Sequence, residues 1–173
     1  MSTTVPSNMF TQYAVRSSSA IYTLVTNRKS GVLNVPPSPA TPNIVRVSWA
    51  GDRRFDTGRP GGPVATLDGD AEAGQSPVDA LLSALGTCVS IDVVDILKKQ
   101  RTPPAFYAVE VVGTRVDTTP RRLKHVLLRV RLAGEGIERE KVERAIHLAV
   151  TKYCSVRDSL DPAMPVEWEL EVE

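Results

Sequence analysis

Apolar and polar residues alternate along several stretches of this chain, as they do in half-buried β-strands. The first such stretch is residues 45–49, and a Gly-Asp turn at 51–52 separates it from a second short strand at 53–56. A loop rich in glycine and proline, residues 58–63, leads to a third strand at 64–67. Because short turns join antiparallel neighbours, the pattern predicts a three-stranded antiparallel meander.

A long helix is predicted to start at Ser76. Serine is a favourable N-cap residue, Pro77 suits the first helical position, and Asp79 faces the free amides of the first turn. The helix continues to about Lys99 and is apolar on nearly every side as far as Val94. A helix of this kind is normally buried on most sides, so we expect it in the core.

The second half of the chain predicts two long strands, a helix and a closing strand. The strands lie at 107–116 and 123–132, the helix at 138–152 and the closing strand at 166–172. Apolar residues of the helix region step by four and three along one face, namely Val142, Ile146, Ala149, Tyr153, Val156 and Leu160. The order βββ-α-ββ-α-β with mainly local antiparallel pairing predicts an α+β fold, not a doubly wound parallel sheet.

Composition divides the chain into an extension and one domain. Residues 1–42 are rich in Ser and Thr, contain no acidic residue and end in repeated prolines, so we predict a disordered N-terminal extension followed by a domain at 43–173. A weak organellar presequence is the alternative, although arginine is sparse there. The formal net charge of +1 argues against nucleic acid as a partner. The longest apolar run contains Asp92 and Asp95, and we expect no membrane span.

The chain has two cysteines, one in each predicted helix region. Cys88 lies midway along the first helix, two residues after Gly86, and Cys154 lies at the end of the second. Glycine costs roughly 1 kcal/mol in a helix interior and is tolerable where another element approaches closely. So few cysteines favour a reducing compartment, which we take to be the cytoplasm, where a pair is more often catalytic or simply buried than structural.

A metal site is not expected from the spacing of the possible ligands. His147 and Cys154 are separated by roughly 10 Å along a helix axis, which is too far for one ion. No other pair shows the three- or four-residue ligand spacing of a metal-binding helix. His125 is predicted in a strand and is most simply a partly buried or surface imidazole. We expect neither a metal nor a cofactor.

The segments around the cysteines resemble a known family. Residues 76–88, Ser-Pro-Val-Asp-Ala-Leu-Leu-Ser-Ala-Leu-Gly-Thr-Cys, resemble the first cysteine motif of the OsmC-like proteins, which include osmotically inducible protein C and the organic hydroperoxide resistance proteins. Residues 153–156, Tyr-Cys-Ser-Val, together with Leu160, resemble the second motif. The resemblance spans roughly residues 43–173.

The resemblance implies an intertwined homodimer in which antiparallel sheets wrap around two central cysteine-bearing helices. It also implies a thiol peroxidase cycle. Cys88 would attack an organic hydroperoxide and become a sulfenic acid, and Cys154 would condense with that acid to a disulfide. An external dithiol would then restore both thiols.

The sequence departs from the active peroxidases around the first cysteine. In those proteins an Arg–Glu pair stabilises the thiolate, and the candidates here are Arg53 and Arg54, of which at most one faces the site because neighbours on a strand point to opposite faces. Val78 stands at the position of the family glutamate, and the nearby acid is Asp79. Asp79 lies on the opposite helical face from Cys88, so it acts across a dimer interface or only caps the helix.

These departures match a less characterised branch that continues after the first cysteine with Ser-Ile-Asp-Val-Val, here residues 90–94. The leading hypothesis is a peroxidase for organic hydroperoxides, with Cys88 oxidised first and Cys154 resolving it. The alternative is a non-enzymatic protein that binds a small apolar or acyl ligand at the dimer interface, and a third is an interaction domain with no site. Val78 favours binding, whereas the presence of both cysteines favours catalysis.

Overall fold

The computed structural model describes residues 41–173 as a mixed α+β structure with two small sheets. The predicted N-terminal extension therefore lies almost wholly outside the described residues. The elements in chain order are β1 (Arg46–Gly51), β2 (Arg54–Gly58), β3 (Val64–Asp68), α1 (Pro77–Lys99), β4 (Phe106–Arg115), β5 (Leu123–Ala133), α2 (Arg139–Leu148), a π-helix (Ala149–Tyr153), α3 (Ser155–Asp158) and β6 (Val166–Val172).

The first sheet is the predicted antiparallel meander, in the order β1-β2-β3. Trp49 pairs with Phe55, which pairs with Leu67, and the three side chains therefore share one face. Residues two positions away along each strand extend this face and are also mostly apolar. The apolar face of the first sheet consists of Val45, Val47, Trp49, Phe55, Thr57, Ala65 and Leu67.

The second sheet has the order β4-β5-β6 and mixes the two pairing directions. β4 and β5 form the predicted antiparallel hairpin. β6 pairs parallel to β5, with Leu128 opposite Trp168, so the expectation of purely antiparallel sheets is wrong for this strand. A parallel pair needs a crossover connection, and the α2–α3 region supplies it between β5 and β6.

The core lies between the second sheet and the helices. Side chains of α1 at positions four apart, and alternate side chains of β5, are almost completely buried. They are Leu85, Val89, Val93 and Leu97 from α1, and Val126, Leu128, Val130 and Leu132 from β5. By length and composition alone, α1 would also suffice to cross a membrane, a test that core helices of soluble proteins pass as well.

The second predicted helix is interrupted. The α-helical hydrogen bonding of α2 changes at Ala149 into a π-helix, in which the amide of Cys154 donates to the carbonyl of Ala149 at 2.9 Å. The wider turn rotates the following side chains. Tyr153, predicted on the apolar stripe, is therefore 48% exposed, whereas Val142, Ile146 and Ala149 before it are fully buried as predicted.

Candidate thiol site

Cys88 is placed by a helix whose start is fixed locally. The hydroxyl and amide of Ser76 donate to the Asp79 carboxylate at 2.7 and 3.2 Å, and the Asp79 amide donates back to the Ser76 hydroxyl at 3.2 Å. This is a complete capping box. Further along α1, a side chain at position 86 would clash with β4, because its Cβ atom would lie 2.6 Å from a methyl group of Val111. The close approach of β4 to α1 is therefore the reason for glycine near Cys88.

Cys154 occupies the break between two helical segments. It follows the π-helix and is the N-cap residue of α3, where its sulfur accepts a hydrogen bond from the amide of Arg157 at 3.3 Å. The sequence predicts a helix C-terminus at this cysteine, which would disfavour an anion. In the structure the thiol instead faces a free amide of the next helix, while its side chain is only 3% exposed.

The fold brings the two cysteines together. α1 packs against the π-helix and α3, and Cys88 lies near enough to Cys154 to affect the ionisation of its thiol. Both are free thiols, Cys88 half-buried and Cys154 buried. Burial and the neighbouring Cys88 sulfur raise the pKa of Cys154 to about 11, against the opposing effect of the Arg157 amide. Cys154 is therefore protonated at neutral pH and is the thiol that can donate to the Cys88 sulfur.

Arg157 supports this arrangement, a role that sequence reasoning missed because it treated the residue only as a nearby charge. Its guanidinium donates to the backbone carbonyls of Asp161 at 3.2 Å, Pro162 at 3.3 Å and Met164 at 3.0 Å. The side chain thus ties the loop before β6 to the helix that begins at Cys154. The sequence gives no signal for this role, because the cap donor at this position is a backbone amide that any residue supplies and the guanidinium bonds depend on the fold of the following loop.

The other predicted site residues are engaged elsewhere within the described chain. Arg53 pairs with Asp70, and Arg54 pairs with Asp52 at 2.8 Å. Asp79 serves the capping box. None of the three contacts Cys88 in the described part of this chain, so their action on the thiol stays a prediction that requires a second copy.

A buried hydroxyl next to α1 was also missed. The buried Tyr107 hydroxyl on β4 has no hydrogen-bond partner among the described residues, and the nearby Ser90 hydroxyl donates its own proton to the carbonyl of Gly86 at 2.7 Å. Burial raises the pKa of Tyr107. Residues 41–173 contain no cluster of three or more residues able to hold a metal ion, and His125 bonds to Glu167 at 3.0 Å.

Comparisons with known proteins match most of the described chain. A family model described as "OsmC-like protein" matches residues 68–169. Protein YhfA of Escherichia coli strain K12 is 32% identical over 128 residues, which cover 73% of this chain and 96% of YhfA. The residues matched by the family model include both cysteines.

Solved structures of similar proteins share the fold. A hypothetical protein from Aquifex aeolicus VF5 is 26% identical with a TM-score of 0.68, and the match covers 78% of this chain and 99% of the Aquifex chain. The organic hydroperoxide resistance protein OhrB of Bacillus subtilis is 14% identical with a TM-score of 0.51, covering 76% of this chain and 98% of OhrB. The second likeness concerns the fold alone. By the family model and the curated relative, this chain belongs to the OsmC-like protein family.

Proposed function

We propose that the protein reduces organic hydroperoxides with the Cys88–Cys154 thiol pair. The observation that carries this is the proximity of the half-buried Cys88 to the buried Cys154, whose pKa Cys88 helps to raise. Membership of a family related to hydroperoxide resistance and redox proteins supports it.

In the first step the Cys88 thiolate attacks the distal oxygen of the hydroperoxide. The O–O bond breaks, Cys88 becomes a sulfenic acid and the remainder leaves as an alcohol after taking up a proton. Cys154 then attacks the sulfenic sulfur, forming the disulfide and releasing water. A dithiol reduces the disulfide by exchange and is itself oxidised to a disulfide.

The assignment of roles follows from burial. Thiolate character and access determine which cysteine is oxidised first. Cys154 is 3% exposed and its pKa is raised to about 11, so it is a poor first nucleophile at neutral pH. Its thiol can instead donate a hydrogen bond to a Cys88 thiolate. Leu81 and Ile91, which lie on the same face of α1 as Cys88, make the approach apolar and favour alkyl over inorganic peroxide.

We propose that the working unit is a homodimer. The apolar face of the first sheet is left uncovered by residues 41–173, with Val47 63% and Trp49 71% exposed. A second copy of the chain offers the same surface in return, as a closed two-fold interface requires. In this arrangement Arg53 or Arg54 of one protomer reaches the Cys88 thiolate of its partner.

Single-turnover kinetics with cumene hydroperoxide tests the peroxidase. The Cys154→Ser variant should consume one equivalent of peroxide and accumulate a sulfenic acid at Cys88, detected by a dimedone label. The Cys88→Ser variant, its matched control, should consume peroxide no faster than buffer. If Cys88→Ser reduced peroxide and Cys154→Ser did not, the roles of the two cysteines would be reversed. If the wild-type protein and both variants were all inactive, the proposed peroxidase activity would be excluded.

A non-enzymatic binding role is favoured by one separate observation. A groove of about 550 Å³ runs along α1 and β4, with Ile91, Val94 and the Tyr107 ring in its wall. The unpartnered Tyr107 hydroxyl could fix one polar group of an apolar or acyl ligand there. Binding of a fluorescent fatty acid that weakens about tenfold in Tyr107→Phe would support this role, since one lost hydrogen bond has about that effect. Equal binding by both proteins would argue against it.

A further inference from the structure

A cavity of about 440 Å³ lies beside Cys154, on the side where the π-helix, α3 and the loop before β6 meet. Its wall includes Cys154 itself, apolar residues such as Leu160 and Met164, and the polar Lys152 and Asp158. Cys88 does not line this cavity. The cavity is therefore an approach to the second cysteine of the pair, not to the first.

Cys88 is approached from another side, along the exposed face of α1. Residues four before and three after it, Ala84 and Ile91, lie on the same face of α1, and both are exposed. This is the apolar face that leads a hydroperoxide to Cys88. The thiol pair thus spans the contact between α1 and the α2–α3 region, with Cys88 on the side of this apolar face and Cys154 beside the cavity.

The chemistry of exchange favours attack from the cavity. When a thiolate attacks a disulfide, one sulfur forms the new bond and the other leaves as a thiolate, and a thiol of lower pKa leaves faster. Attack at Cys88 would have to expel Cys154, whose pKa is raised to about 11 by burial and by its neighbour. Attack at Cys154 expels Cys88 instead and leaves Cys154 in a mixed disulfide.

We propose that the external dithiol enters the cavity beside Cys154 and attacks the Cys154 sulfur, expelling Cys88 as the thiolate. One thiolate of the dithiol forms a mixed disulfide with Cys154 as the Cys88–Cys154 bond breaks. The second thiol of the reductant then attacks its own sulfur in the mixed disulfide, which releases Cys154, and the proton of that thiol passes to Cys154 through solvent. Peroxide and reductant therefore use different entrances. This inference rests on the proposed peroxidase cycle.

The entrance is tested by filling the cavity. Ala163 lies in the cavity wall and is exposed, so Ala163→Trp should obstruct the cavity without disturbing the core. Thr118→Trp, in the exposed hairpin between β4 and β5, is the matched control. The disulfide is first formed with diamide, so that the test does not depend on peroxide. Reduction by dithiothreitol should be about tenfold slower in Ala163→Trp than in the control, while single-turnover oxidation by cumene hydroperoxide stays within about twofold.

The attacked sulfur is identified in the wild-type protein with no substitution. The diamide-formed disulfide is mixed briefly with glutathione, quenched in acid, and mapped by peptide mass spectrometry after alkylation. Glutathione on Cys154 and an alkylated Cys88 are expected. Glutathione on Cys88, or reduction rates in Ala163→Trp equal to those of Thr118→Trp, would overturn the proposal. If diamide forms the disulfide but peroxide does not, the peroxidase fails and the entrance for the dithiol stands. If diamide forms no Cys88–Cys154 disulfide, both fail.

Discussion

The two sheets of this protein have the same design and different surroundings. Each has three strands, one apolar face and one polar face. In the second sheet the apolar face is covered by α1 and α2, and Val126, Leu128 and Leu132 on β5 are fully buried. Its other face has a network of ion pairs, in which Arg129 lies 2.9 Å from Glu110 and 3.4 Å from Glu169.

The first sheet has no such cover among the described residues. Its polar face includes Arg46, Ser48 and Asp56, yet Val47 and Trp49 on its apolar face are mostly exposed. Contiguous exposed apolar surface on this scale marks an interaction site in a folded protein. The second sheet is thus covered by elements of its own chain, whereas the apolar face of the first sheet stays exposed among the described residues, and we have proposed that a second copy covers it.

The largest effect is expected in the covered sheet. Leu128→Ala removes a fully buried side chain between β5 and the helices, and should lower the free energy of unfolding by about 2–5 kcal/mol, because the lost burial and the remaining cavity both destabilise. Urea denaturation at fixed protein concentration measures it. Leu127→Ala, on the opposite face of the same strand, is the control and should lower the free energy of unfolding far less. Equal losses would show that the second sheet is not the core.

The next expected effect is a change with pH in the rate at which the buried thiol of Cys154 is alkylated. Because its pKa is raised to about 11, its alkylation by iodoacetamide should accelerate about tenfold per pH unit between about pH 8 and 10. The thiol is held protonated in the folded state, so its contribution to stability is complete below an ordinary thiol pKa of about 8.5 and is lost as the pH rises towards 11. Peptide mapping follows each cysteine, and a plateau at Cys154 below about pH 9 would contradict its burial.

A substitution in the first sheet tests whether its apolar face is the interface of the proposed dimer. Val47→Asp places a carboxylate on the apolar face, and should weaken the proposed dimer by about 2 kcal/mol or more, roughly thirtyfold in the dissociation constant, because the charge would be buried there. Val64→Asp is its matched control, since Val64 is equally exposed, 65% against 63%, but faces the polar side. Sedimentation should show monomers for the first and dimers for the second. Identical behaviour would exclude this face as the interface.

The smallest effect separates the two roles of Asp79. Asp79→Ala removes the capping box at the start of α1 and should lower the free energy of unfolding by about 1 kcal/mol. Asp95→Ala, on the exposed face of the same helix, should change it little. If Asp79 only caps the helix, single-turnover peroxide reduction is unchanged within about twofold. A loss of more than about tenfold in rate, with the same small loss of stability, would assign Asp79 a catalytic role across the dimer interface.

Local signals in the sequence were sufficient for much of this structure. The start of α1 was predicted from Ser76, Pro77 and Asp79, because a capping box depends on residues within one turn of each other. The strand alternation predicted the strands of both sheets, because side chains on a strand alternate between faces whatever covers them. Gly86 signalled a close approach, and β4 is the element that makes it.

Contacts distant in sequence decided the rest. The apolar residues from Val142 to Leu160 have the spacing of one continuous helix. In the structure a π-helix interrupts this helix and leaves Tyr153 exposed, which the spacing did not predict. The parallel pairing of β6 with β5 was not foreseeable from alternation, which is the same for either strand direction. The sequence by itself determined that two cysteines lie in two helical regions. The tertiary structure decided that the two cysteines lie close together and that Cys154 is the buried one, because burial and proximity are properties of packed elements and not of neighbouring residues.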